Sequence, residues 1–149
     1  MSRGSRWLIA AGCLSLLASV LHVACIVGGP DWYRFFGAGE AMALAAARGS
    51  LVPAAMTAVV AIVLAAWAAY AFSGAGRIRR LPLLRAGLVT ISAIYLARGL
   101  LVFYPPALGP DARTATFMIW SSVIVLVYGL TYAFGTALAW RTLSRKEIA

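Results

Sequence analysis

Two side chains that can carry charge fall well inside long apolar blocks, away from their basic edges: His22, within the run from Trp7 to Val27, and Arg98, within the run from Leu84 to Tyr104. An ionisable group in hydrocarbon costs on the order of a few kcal/mol or more, so each calls for a partner. Arginine stays charged under all ordinary conditions, and its planar fork suits a carboxylate or a phosphate. Histidine titrates near neutrality and serves as acid, base or ligand. His22 lies about five residues inside Val27 and Arg98 about five inside Phe103, which places both roughly 7–8 Å below the same membrane boundary.

Other polar groups reach that layer. Tyr95 precedes Arg98 by three residues and shares its helical face. Trp120, Ser121 and Ser122 lie about five residues into the last apolar block, and Thr57 is comparably placed in the second. Ser15, Ser19 and His22 form a stripe that suits a partner helix better than lipid. The expected site is a polar pocket in the outer half of a helical bundle. Arg98 is its anchor, His22 its titratable group, and Glu40 or Asp111 its counter-charge, with Tyr95 and Trp120 as further candidate ligand-binding residues. Blander roles compete: Arg98 can snorkel to the headgroups, a lone histidine can be a packing residue, and serine and glycine stripes, Gly129 and Gly135 included, can be close helix contacts.

The motifs of several common chemistries are missing. The chain has no P-loop, GxGxxG or HExxH pattern and no paired Cys/His metal spacing, so no cofactor or metal is expected. A single histidine excludes bis-histidine haem ligation within one chain. Cys13 and Cys25, twelve positions apart on one helix, are separated by about 18 Å and cannot bridge each other.

The elements that would position these residues are set by composition. The chain is 63% hydrophobic and 11% charged, with a mean hydropathy of +0.90. That is too little charge to cover a water-soluble globule, and the apolar residues come in blocks. The fold class expected is an all-α integral membrane protein, a single four-helix transmembrane domain over residues 1–149. Four spans of about twenty residues each match ~30 Å of hydrocarbon, over residues 7–27, 51–72, 84–104 and 116–140. Gly28-Gly29-Pro30-Asp31, Ser73-Gly74-Ala75-Gly76, Pro105-Pro106 and Arg141 stop them in turn. Ser50 reads as an N-cap for the second, with Pro53 tolerated in its first turn. The first block is too long for a signal-peptide core and reads as a retained span.

A net charge of +9 would suggest nucleic acid if it formed one solvated face. The basic residues instead sit in short runs between the spans, so no nucleic-acid partner is expected. Arg3, Arg6, Arg77, Arg79, Arg80, Arg85, Arg141, Arg145 and Lys146 fall on one side, and Arg34, Arg48 and Arg113 on the other. The positive-inside rule then places both termini in the cytoplasm of a bacterial-type inner membrane. The outer segment 31–48 opens with Trp32, Tyr33, Phe35 and Phe36, rings suited to the headgroup level, and continues into an Ala/Met/Leu stretch closed by Gly49. A short interfacial helix is expected there, over about Glu40 to Arg48. Gly29-Pro30-Asp31 with Arg34 is echoed by Gly109-Pro110-Asp111 with Arg113, which fits either a duplicated hairpin or a recurrent turn tripeptide.

Three functions are compatible with this pattern. The leading one is a bilayer protein that binds or moves a small or lipid-like anionic ligand through the outer pocket, with a homo-oligomer as an expected assembly. The second is a membrane enzyme acting on a lipid or isoprenoid-like substrate, with His22 and Glu40 as acid and base and Arg98 on an anionic head. The third is an accessory subunit of a membrane complex, whose polar groups lock helix packing.

Overall fold

Hydrocarbon length dictates the main elements. The computed structural model describes residues 2–105 and 112–145. Its helices are α1 (Arg3–Gly28), α2 (Pro30–Phe35), α3 (Glu40–Ala47), α4 (Val52–Gly74), α5 (Leu84–Leu100), which runs into a 3-10 turn at Leu101–Phe103, and α6 (Ala112–Arg145). Four of these segments, of 26, 23, 20 and 31 residues, are long and apolar enough to cross a membrane. The shortest still reaches about 30 Å at 1.5 Å per residue. Large apolar side chains face outward along them, Ile62 at 68% exposure and Leu138 at 55%, which suits lipid and not water. The chain is therefore a multi-pass helical membrane protein by length and composition.

The expected spans are found with shifted ends. The last helix extends at both ends beyond the expected 116–140, and the third is completed by the 3-10 turn. α4 begins at Val52 as Ser50 suggests: the Val52 amide donates to the Ser50 hydroxyl at 3.3 Å. The segment after α1 holds two helices, not one. Pro30 starts α2 at a position where its missing N–H costs nothing, and α3 covers the expected Ala-rich stretch. Gly49 ends α3 with φ of +79°. Its own amide and that of Ser50 donate back to Ala46 and Ala45 at 3.0 Å each, a C-terminal closure that glycine accommodates without strain. Gly109, Pro110 and Asp111, which carry the second half of the suspected repeat, lie outside the described residues.

Contacts divide the chain into two compact units, one of residues 1–14 and 67–149, the other of residues 15–66. In the first, α5 and α6 approach closely through reciprocal glycines. A Cβ added at Gly99 would stand 2.8 Å from the Leu126 backbone, and one at Gly129 2.8 Å from the Leu96 amide nitrogen. Gly135 likewise faces Leu8. Leu8, Leu84, Leu88 and Tyr132 are almost fully enclosed. The basic connection after α4 is tied down by Ser73, whose hydroxyl donates to the Arg79 carbonyl at 3.1 Å and accepts from the Leu81 amide at 2.9 Å. In the second unit, the Ser19 hydroxyl donates to the Ala61 carbonyl at 2.7 Å. Cys25, Tyr33 and Ala43 form a small core, with Phe36 and Ala46 against it.

Candidate functional site

Arg98 sits near the end of α5, where the chain must still be helical to keep its backbone groups satisfied in lipid. Its guanidinium turns to α6. Nη1 donates to the Ser122 hydroxyl at 2.8 Å and Nη2 to the Ser121 hydroxyl at 3.1 Å, with Met118 Sδ a weak acceptor at 3.8 Å. The Ser121 hydroxyl in turn donates to the Met118 carbonyl at 3.2 Å, so its donor is satisfied within α6. Ser122 is fully buried, so this seat is fixed by packing. All the partners are neutral. Arg98 makes no ion pair with a carboxylate among the described residues. Hydroxyls orient a guanidinium but do not neutralise it.

One turn back on the same helix, Tyr95 is 5% exposed at the centre of an aromatic group. Trp67 stands edge-on to it at 4.8 Å, with Tyr128 at 5.6 Å and Tyr132 at 5.5 Å between ring centroids. Tyr132 donates to the Trp67 carbonyl at 2.9 Å and so anchors the ring group to α4. Offset and edge-to-face contacts of this kind contribute roughly 0.5–1.5 kcal/mol per pair beyond area burial. Tyr95 is thus a rigid floor next to the arginine. Trp120, expected as a candidate ligand-binding residue, is 65% exposed on α6.

The remaining expected residues fall in the other unit or outside the described chain. His22 places Nδ1 2.7 Å from the Ala18 carbonyl oxygen. A carbonyl only accepts, so Nδ1 carries the proton and Nε2 is the nitrogen left for a ligand or a second proton. Glu40 is engaged by Arg34: Nε donates to its two carboxylate oxygens at 3.2 and 3.0 Å, and Nη2 to one of them at 3.0 Å. Arg34 also reaches Asp31 at 3.0 Å. The hydrogen bond to Glu40, more than any other cause, raises the Arg34 pKa. Asp111 lies outside the described residues.

Comparison with family models, with curated proteins and with solved structures finds no match.

The residues available for chemistry are therefore those of the chain itself. Among the described residues no group of three or more His, Cys, Asp or Glu could hold a metal. Arg34, Trp67 and Met118 were not foreseen. Arg34 carried a signal, since it stands six positions before Glu40 across a glycine turn. Trp67 carried none, because sequence spacing does not reveal how one helix is rotated against another.

Proposed function

We propose that this chain is a multi-pass protein of a bacterial inner membrane, with both termini cytoplasmic, that holds a small or lipid-like anionic ligand at Arg98 in the outer half of the membrane. One observation carries this reading: a guanidinium within a span, held at that depth by Ser121 and Ser122 and given no carboxylate among the described residues. The planar fork suits a phosphate or carboxylate head, the exposed apolar flanks suit an alkyl tail, and the Tyr95 ring group gives the site a stiff floor. Supporting the orientation is the excess of basic residues in the loops assigned to the cytoplasm. The helices α2 and α3 occupy the segment assigned to the outer interface, and the Trp32, Phe35 and Phe36 rings on α2 and beside it suit the headgroup level.

Dodecyl phosphate, set against dodecyl maltoside, tests the reading. Wild-type protein purified in a neutral detergent should gain thermal stability with dodecyl phosphate in a saturable way. Arg98→Gln should remain helical and lose that gain. An equal gain in Arg98→Gln would overturn the proposal.

A further inference from the structure

Where α1 gives way to α2 there is a hollow that binding at Arg98 does not use. Leu21 of α1, Asp31, Trp32 and Phe35 of α2, and Phe36 just after it line a space of about 480 Å³, within the roughly 300–1,000 Å³ common for small-molecule sites. The Phe36 ring lies 5.8 Å from Trp32 at 36° and 5.0 Å from Phe35 at 84°, centroid to centroid, so the three rings form a corner and not a flat stack. Two of them are anchored. Phe36 packs on the core of Cys25, Tyr33 and Ala43, and the Trp32 indole lies across Gly28, where an added Cβ would fall inside the ring. Phe35 completes the corner and stays 78% exposed.

The charges at the rim select the occupant. Aromatic faces are negative and attract a cation, a quaternary ammonium above all. Asp31 adds a full negative charge. Its side chain is 92% exposed, and its one hydrogen bond among the described residues is through Oδ1, which accepts from Arg34 Nη1 at 3.0 Å. Arg34 directs its other three hydrogen bonds to Glu40. A bare cation at this rim would meet the Arg34 guanidinium beside Asp31. A zwitterion brings its own phosphate, so the Asp31–Arg34 pair matches, charge for charge, an ammonium and the phosphate next to it. Leu21 and, one turn back, Leu17 are exposed on α1 and continue the hollow as an apolar strip.

We propose that this corner holds the headgroup of a zwitterionic phospholipid, its ammonium against Asp31 and the Trp32, Phe35 and Phe36 rings, its phosphate beside Arg34 and an acyl chain along Leu21 and Leu17. The site is built from α1, α2 and Phe36, and Arg98 has no part in it. On the orientation proposed above, the lipid belongs to the outer leaflet.

Dihexanoylphosphatidylcholine and dihexanoylphosphatidylglycerol, which share their chains and differ in the head, test the site on the full chain in a neutral detergent. The indole N–H resonance of Trp32, identified by its loss in Trp32→Phe, reports on the corner. It should shift saturably with the choline lipid, at a midpoint about fivefold lower than with the glycerol lipid, the advantage of a cation on exposed rings. The chain's net charge of +9 favours the anionic lipid in general, so a choline preference at Trp32 is a local property. Asp31→Asn and Phe35→Leu change exposed side chains and keep the Trp32 reporter; each should bring the two midpoints to within about twofold. Arg98→Gln should leave both midpoints unchanged, which separates this site from the one proposed at Arg98. Equal midpoints in wild type would make the corner a plain apolar anchor and overturn the proposal. So would a lower midpoint for the glycerol lipid, or a fivefold choline preference that survives in both Asp31→Asn and Phe35→Leu.

Discussion

Ser122 is completely enclosed, and its hydroxyl accepts a hydrogen bond from Arg98 at 2.8 Å. The pair joins α5 to α6. A hydrogen bond to a charged group contributes roughly 1.5–3 kcal/mol, and the charge survives when the acceptor is removed. Replacing Ser121 and Ser122 by alanine together should therefore weaken dodecyl phosphate binding by about tenfold, as the cation loses its fixed direction. Arg98→Gln should abolish the binding. Isothermal titration of the folded variants separates orientation from charge; an unchanged affinity in the double serine variant would show that the hydroxyls do not position the guanidinium.

The reciprocal glycines between α5 and α6 predict a reversal of sign. In an exposed helix interior Gly→Ala stabilises by about 1 kcal/mol through backbone entropy. At Gly99 and Gly129 the new methyl would stand 2.8 Å from main-chain atoms of the facing helix, which cannot move as a side-chain tip can. Overpacking of this kind costs typically 1–3 kcal/mol. Gly99→Ala and Gly129→Ala should each lower the unfolding midpoint in detergent, whereas stabilisation by either would contradict the close approach.

Much of this arrangement could be read from the residues. Four spans followed from block length, and α3 from an alanine-rich stretch closed by Gly49. Depth counting put Arg98, Ser121 and Ser122 in one layer, which is where the hydrogen bonds lie. It could not assign azimuth. Tyr95 and Trp120 were expected to share a pocket, yet one is 5% and the other 65% exposed, because helix rotation depends on packing that a single sequence does not display. α2 was overlooked because its run of aromatic residues lacks the propensity signal that alanine gives α3. The Arg85 guanidinium carbon lies 3.9 Å from the centroid of the Trp140 ring, and no periodicity links two residues so far apart in sequence.

The aromatic group beneath Arg98 should behave as one unit anchored at Tyr132. Tyr132→Phe keeps the ring and removes the hydroxyl that donates to the Trp67 carbonyl, for a cost of about 1 kcal/mol per hydrogen bond lost. Tyr95→Ala removes the central ring from all three neighbours, for a cost of about 3–5 kcal/mol. Thermal unfolding followed by circular dichroism should rank the two in that order. If Tyr132→Phe proved the more damaging, the anchor would matter more than the stack.

Orientation is open to a chemical test. Ile78 is 47% exposed in the basic connection between α4 and α5, and Asp31 is exposed on α2 after α1. With Cys13 and Cys25 replaced by alanine, Ile78→Cys should resist a membrane-impermeant maleimide applied to intact spheroplasts and react once the membrane is opened. Asp31→Cys should react in both conditions. The expectation rests on nine basic residues assigned to one side against three on the other. Labelling of Ile78→Cys in sealed cells, with protection of Asp31→Cys, would invert the topology and move Arg98 to the cytoplasmic half.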